Sequence, residues 1–218
     1  SAIVTSGPTY EPIDPVRFIG NHSSGKQGHA IAKALADAGA DVTLVTGPVA
    51  LPDPDGVKTI HVETAQEMLN ACGQAMPADI AVCAAAVSDW RTEKTADQKI
   101  KKGQDKNPPT LSLVENPDIL QTIATCPKNR PSLVIGFAAE TENLIENAKA
   151  KLAKKSCDWI VANNVAEGVF GTEENHVTLV TQSQVQEWPR GSKEAIARDL
   201  VQEIINHYKN NKLAEAAE

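Results

Sequence analysis

Short apolar runs alternate with longer amphipathic stretches along the chain, and a turn signal closes most of the runs. Residues 2–6 read as a strand ended by Gly7-Pro8. A helix is predicted over about 25–38, where Ala30, Ile31, Ala34 and Leu35 form one stripe and Gly39 stands where a left-handed C′ residue belongs. Residues 41–45 form a second strand, closed by Gly47-Pro48, and 57–62 a third. The tetrad Thr64-Ala65-Gln66-Glu67 is a capping box opening a helix to about Ala75. A fourth strand, 79–83, runs on into Ala84, Ala85, Ala86 and Val87.

Between Ser88 and Glu115 the pattern breaks. Trp90 and Arg91 lead into a lysine-rich stretch (Lys94, Lys99, Lys101, Lys102, Lys106) with little apolar periodicity, and 110–114 then alternates like an edge or hairpin strand. An excursion of that length in a compact domain is usually functional or disordered. Asn116-Pro117-Asp118 predicts a helix start, with Asn116 as N-cap, Pro117 at the first helical position and Asp118 in the first turn. That helix runs to about Thr125. A strand at 132–137 passes through Gly136-Phe137-Ala138-Ala139-Glu140-Thr141 into a helix ending near Lys155. Residues 158–162 form another strand, 177–181 and 185–188 a hairpin, and 192–209 the last helix, before an Ala/Glu tail expected to fray.

Short Val/Ile/Leu-rich strands alternating with helices predict an α/β fold: a doubly wound, mostly parallel, Rossmann-like sheet with helices on both faces. The lysine-rich excursion (about 88–115) and a C-terminal hairpin plus helix are added to it. Ligands of such sheets bind outside the carboxyl ends of the strands. Three segments fall there: 5–7 with the loop that follows, 83–89, and 136–140.

Composition narrows the classes. With 218 residues, 41% apolar and 22% charged, the chain suits one well-packed domain, placed at 1–212 with 213–218 as a frayed tail. The net charge of −7 argues against a general nucleic-acid binder, which needs a basic face. No apolar run approaches the roughly twenty residues of a membrane span, and no signal-peptide pattern opens the chain. Cys72, Cys83, Cys126 and Cys157 are scattered without a C-x-x-C pair, which reads as reduced thiols in a cytoplasmic protein. The five histidines show no metal-ligand spacing.

The stretch Gly20-Asn21-His22-Ser23-Ser24-Gly25-Lys26-Gln27-Gly28 lies at a strand-to-helix crossing, where unpaired amides and the helix dipole favour an anion. Gly20 through Lys26 matches the P-loop form G-x-x-x-x-G-K, but Gln27 replaces the Ser or Thr that would hold magnesium, and a Pro-rich segment intervenes after the strand. The plainer reading is a helix cap made by Ser23, Ser24 and Gly25. Asn21 can hold an oxygen on which charge develops, or simply occupy a left-handed turn. Asp89 and Asp118 at the mouth of the site would suit a divalent cation shared with phosphate oxygens, whereas Asp118 alone would suit a helix first turn. Lys99 and Lys101 share one face of an extended segment, and Lys151 and Lys155 one face of a helix. Both pairs could serve a phosphate or merely a solvated surface.

Together these residues resemble the phosphopantothenate–cysteine ligase family, in particular the bacterial synthetase domain fused behind a flavin-dependent decarboxylase. The blocks are Ser6-Gly7-Pro8-Thr9, Asp14-Pro15-Val16-Arg17, Asn21-His22-Ser23-Ser24-Gly25-Lys26, residues 85–90, Lys99-Ile100-Lys101-Lys102, Asn116-Pro117-Asp118 and residues 136–141, in the family's order over nearly the whole chain. Ser88 and Trp90 stand where relatives can differ.

The resemblance implies a two-step ligation. The carboxylate of 4′-phosphopantothenate attacks the α-phosphate of CTP, giving an acyl-cytidylate and pyrophosphate. The amine of L-cysteine then displaces CMP. It further implies that Asn21 holds the acyl intermediate, with Arg17 and His22 beside the phosphopantothenate. Cys83, Ala84 and Ala85 would line the cytosine pocket, with Asp89 near the nucleotide and Phe137 packed on it. Lys99, Lys151, Lys155 and the helix start at Pro117, Asp118, Ile119 and Leu120 would surround the triphosphate, with Asp118 near a Mg2+ (or Mn2+) ion. Asn21 and Lys99 would be the catalytic pair, in a homodimer with a shared active site whose lysine-rich excursion reaches toward the partner subunit. A decarboxylase domain, fused or separate, would be the metabolic partner. Outside that resemblance, a nucleotide-binding regulatory module fits the same fold. So does a dinucleotide-dependent oxidoreductase, which is disfavoured because no G-x-G-x-x-G follows the first strand.

Overall fold

The computed structural model describes residues 1–101, 109–164 and 174–215. Lys102, Lys106 and the tail at 216–218 therefore lie outside the described residues. The chain begins with β1 (Ala2–Ser6), then β2 (Tyr10–Asp14), β3 (Arg17–Gly20), α1 (Lys26–Asp37), β4 (Val42–Thr46), β5 (Lys58–His61), α2 (Ala65–Ala75) and β6 (Ile80–Cys83). It continues through β7 (Trp90–Thr92), β8 (Leu113–Glu115), α3 (Ile119–Ala124), β9 (Leu133–Glu140), α4 (Leu144–Lys155) and β10 (Trp159–Asn164). Last come β11 (Glu174–Asn175), β12 (Val177–Thr181), β13 (Val185–Glu187), β14 (Gly191–Ser192) and α5 (Lys193–Glu215).

The main sheet has the order β13-β12-β10-β9-β6-β1-β4-β5. The six strands from β10 to β5 are parallel, and the terminal hairpin β12–β13 adds an antiparallel edge. From β1 the chain works outward through β4 and β5, then returns to add β6, β9 and β10 on the other side. The order reverses between β1 and β6, so the ligand crevice of a doubly wound sheet opens at their carboxyl ends.

The strands feed two cores because successive side chains point to opposite faces. Ala2, Val4, Leu44 and Val82 pack with Ile31, Leu35, Ile196 and Leu200 under α1 and α5. Ile3, Val45, Ala81 and Val134 pack with Met68, Ile123 and Leu152 under α2, α3 and α4. Each fully buried Ile or Leu in these layers contributes about 1.5–3 kcal/mol. Helix α2 carries the expected reciprocal capping box between Thr64 and Glu67.

The structure corrects the sequence reading in four places. The Pro-rich segment after β1 is a hairpin, β2–β3, rather than a loop. Its buried positions are polar: Glu11 accepts from the amide of Ala65 at the start of α2 (2.9 Å), and Asp14 binds Arg17 and the amide of Ile100 (3.1 Å). The N-cap of α3 is Asp118, whose Oδ1 accepts from the Gln121 amide (3.0 Å), not Asn116. Strand β9 runs on to Glu140, and α4 starts only at Leu144, after a left-handed Asn143. Helix α5 extends to Glu215 instead of ending near 209. Among the described residues, no helix is long and apolar enough to cross a membrane.

Candidate active site

A cavity of about 540 Å³ opens at the carboxyl ends of β1, β6 and β9. Its floor is Thr5, Cys83, Ala85 and Phe137. One wall is formed by Val87, Ser88, Asp89 and Trp90, the other by residues 115–121, and Lys151, Lys154 and Lys155 of α4 close it. Cavities of about 440 and 450 Å³ lie along α1, but neither brings together residues from the strands that flank the switch point.

The floor is set by register. Thr5 pairs with Cys83 across β1 and β6, and Cys83 with Gly136 across β6 and β9. Beyond the strand ends the chain stays tied: the Ala85 amide donates to Thr5 Oγ1 (3.2 Å), the Ala86 amide to the Gly7 carbonyl (2.9 Å), and the Ser88 amide to Thr9 Oγ1 (2.9 Å). Gly136 leaves room for the Leu120 side chain that lines the cavity, because a Cβ on it would come within 2.6 Å of that side chain and push it aside. Burial pushes the Cys83 thiol above its usual range, which makes it an inert part of the floor and a poor nucleophile.

The far end is electropositive. Lys151 Nζ donates to the Phe137 carbonyl (2.8 Å), and burial, followed by the neighbouring charge of Lys155, lowers its pKa below the ordinary lysine value. Lys155 is paired with Asp118 Oδ2. Asp118 thus links the start of α3 to the end of α4 across the cavity. Among the described residues no three His, Cys, Asp or Glu side chains are grouped to hold a metal ion. Asp118 offers one carboxylate, which suits a cation held mainly by phosphate oxygens.

Of the residues expected around a nucleotide, Cys83, Ala85, Asp89, Pro117, Asp118, Ile119, Leu120, Phe137, Lys151 and Lys155 line this one cavity. Ala84 lies between two floor residues, its amide bonded to the Thr5 carbonyl (3.2 Å). Asn21 stands beside the first wall, where its amide donates to the carbonyls of Val87 (3.1 Å) and Ala86 (3.4 Å). His22, next to it, is exposed. Arg17 is engaged away from the cavity, on Asp14 and on the Ile100 carbonyl (2.8 Å), and holds the Asp14 carboxyl well below the usual range. Lys99 is exposed beside this tether and does not line the cavity of its own chain.

Thr5 lines the cavity from the segment 5–7 that the strand-end rule singled out, whereas Glu115, Gln121 and Lys154 are lining residues that sequence reasoning missed. Lys154 could have been found from its spacing of three from Lys151 on α4. The P-loop match has a structural explanation. Gly25 is the left-handed N-cap of α1, and a Cβ on Gly28 would sit 2.5 Å from Ser6 Oγ, so both glycines serve the close approach of helix and strand. Gln27 donates to the Lys193 carbonyl (3.1 Å) at the start of α5.

Known proteins share this architecture. A family model described as the DNA/pantothenate metabolism flavoprotein C-terminal domain matches residues 1–208. The coenzyme A biosynthesis bifunctional protein CoaBC of Vibrio vulnificus (strain YJ016) is 44% identical over 207 residues, covering 94% of this chain and 51% of that protein. The chain therefore spans about half the length of the curated relatives it matches. The crystal structure of the C-terminal domain of a CoaBC protein superposes with a TM-score of 0.81 at 37% identity, covering 96% of this chain and 95% of that one. A Cab2 mutant in complex with phosphopantothenate-cysteine shares the fold at 16% identity, with a TM-score of 0.75 and coverage of 100% and 88%.

Proposed function

The chain belongs to the DNA/pantothenate metabolism flavoprotein C-terminal domain family, and on that premise we propose that it is the ligase joining 4′-phosphopantothenate to L-cysteine in coenzyme A biosynthesis, with CTP as the activating nucleotide. The observation that carries this reading is the cavity itself. A floor of Cys83, Ala85 and Phe137 leads to three lysines, Lys151, Lys154 and Lys155, an arrangement that supports a base on the floor and phosphates at the lysines.

In the first step a carboxylate attacks a phosphate, so the site must neutralise charge between two anions. Lys151 is anchored by the Phe137 carbonyl, and Lys155 can exchange its Asp118 partner for a phosphate oxygen. A magnesium ion bound with the nucleotide would supply further charge neutralisation beside Asp118. The amides at the start of α3 available to phosphate are those of Ile119 and Leu120, because Asp118 already caps Gln121. Asn21, beside the wall shared with the nucleotide, would hold the acyl oxygen of the intermediate, with Arg17 and His22 toward the phosphopantothenate. The cysteine amine then displaces CMP.

We further propose a homodimer that completes each site with Lys99 of the other copy. The β2–β3 and β7–β8 hairpins form one arm, joined where Thr92 Oγ1 donates to the Pro12 carbonyl (2.9 Å). That arm exposes Val16 (59%), Phe18 (51%), Trp90 (47%) and Leu113 (47%), an apolar face that suits a second copy. Lys99 travels with the arm through the Asp14–Ile100 tether. Lys99→Gln is expected to lower pyrophosphate release without loss of thermal stability. Mixing Lys99→Gln and Asn21→Asp subunits should restore about a quarter of wild-type activity, because half the dimers then carry one intact site. No restoration would place Lys99 in its own chain's site, and a change in stability alone would make it a solvated surface residue.

The direct test of the activity is pyrophosphate release measured with each substrate omitted in turn. Release should require CTP, phosphopantothenate and magnesium together. Release with CTP alone, or with no combination, would contradict a ligase.

A further inference from the structure

We infer that Asn116 is a positioning residue that locks the two walls of the nucleotide cavity together, an inference that rests on the proposed CTP site. The walls come from distant parts of the chain, the segment after β6 and the start of α3. Asn116 reaches back to the first wall with every polar group it has on that side. Its backbone amide donates to the Asp89 carbonyl (2.9 Å) and its Nδ2 to the Ser88 carbonyl (2.8 Å). Its Oδ1 accepts from Arg91 (3.2 Å), which also donates to the Glu115 carbonyl. The carboxamide is thus spent on the wall, and Asp118, two residues on, caps the helix instead.

The tie matters because α3 has only six residues, marginal as a helix alone. It packs into the core through Ile119, Leu120, Ile123 and Ala124, so its link to the first wall rests on Asn116 and the neighbouring β7–β8 pairing. Asp118 stands at its N-cap and meets Lys155 of α4 across the cavity. The same wall is held from its other side by Asn21, through the carbonyls of Ala86 and Val87. A shift of Asn116 would therefore be felt first at the nucleotide and only weakly at the acyl substrate.

Asn116→Asp separates this role from simple stability. It keeps the acceptor that Arg91 binds, now charge-assisted, but loses the donor and sets a carboxylate oxygen against the Ser88 carbonyl. The KM for CTP should rise about tenfold or more, while the KM for phosphopantothenate stays within about twofold and the melting temperature is nearly unchanged. Asn116→Ala should raise the KM for CTP similarly and also lower the melting temperature. An unchanged KM for CTP in Asn116→Asp, or both KM values rising together with a fall in melting temperature, would overturn the inference.

A second readout does not depend on turnover. Amide resonances of unliganded Asn116→Asp should shift both at Ser88 and Asp89 and at Ile119, Leu120 and Gln121. Unmoved resonances at the α3 start would overturn the positioning role. A wild-type protein that releases no pyrophosphate from CTP would overturn the ligase reading instead, and the resonances would still decide whether Asn116 holds the walls.

Discussion

Replacing Asn21 with Asp is expected to slow formation of phosphopantothenoylcysteine by about 100- to 1000-fold, the range seen when a single donor to a developing oxyanion is removed. The substitution preserves shape, so the loss is electrostatic. In the native protein the Asn21 amide donates to the carbonyls of Val87 and Ala86. A carboxylate there faces two carbonyl oxygens and, during the reaction, an acyl phosphate of like charge. Asn21 is exposed, so global stability should barely change. Quenched-flow measurement of pyrophosphate and CMP in parallel checks this result. CMP should fall far more than the first burst of pyrophosphate. A variant that forms product at the wild-type rate would remove Asn21 from the site.

Lys151→Ala should cost about 2–3 kcal/mol of CTP binding, or about 30- to 150-fold in affinity, read by calorimetric titration. The pH dependence gives a sharper signature. Burial and Lys155 lower the Lys151 pKa in the free protein, so Lys151 loses its proton at a lower pH than an ordinary lysine. A bound phosphate favours the charged form. CTP affinity should therefore fall as pH rises through that lowered pKa, measured above about pH 8, where the phosphates are fully ionised. Lys151→Arg should abolish the fall, because guanidinium keeps its charge across this range. Stability runs the other way. The unfolded chain binds the proton more tightly than the folded one, so Lys151 lowers stability at low pH, and the penalty fades as pH rises through the folded and then the unfolded pKa. An affinity that does not change with pH in the wild type would mean that Lys151 is not among the phosphate ligands.

The doubly wound sheet was legible because its strands are short apolar runs closed by glycine and proline, as at Gly7-Pro8 and Gly47-Pro48. Most of the candidate cavity was legible for a related reason: the fold brings strand ends to one edge, and residues at 83–89 and 136–137 had to meet there. The β2–β3 hairpin was not. Pro12 within a strand argues against one, and the buried Glu11 and Asp14 break the apolar alternation. Part of what satisfies those carboxylates comes from distant partners, the Ala65 amide for Glu11 and the Ile100 amide for Asp14, beside the local Val16 amide and Arg17. The start of α3 was misplaced because Asn, Pro and Asp each suit more than one position near a helix N-terminus. The structure chooses Asp118 because Asn116 is engaged by Ser88 and Arg91. Lys99 shows the limit of a single chain. Its neighbour Ile100 is fixed by Asp14 and Arg17, yet Lys99 is exposed and does not line the cavity described in its own chain.

The proposed site is divided in two, with nucleotide between Phe137 and the α4 lysines and acyl substrate at Asn21. A crystal of the protein soaked with CTP and magnesium tests this division most directly. Cytosine should lie against Ala85 and Phe137, with phosphate oxygens within hydrogen-bond distance of Lys151 and Lys155. Phosphates seated instead on the amides of residues 25–28 at the start of α1 would contradict it.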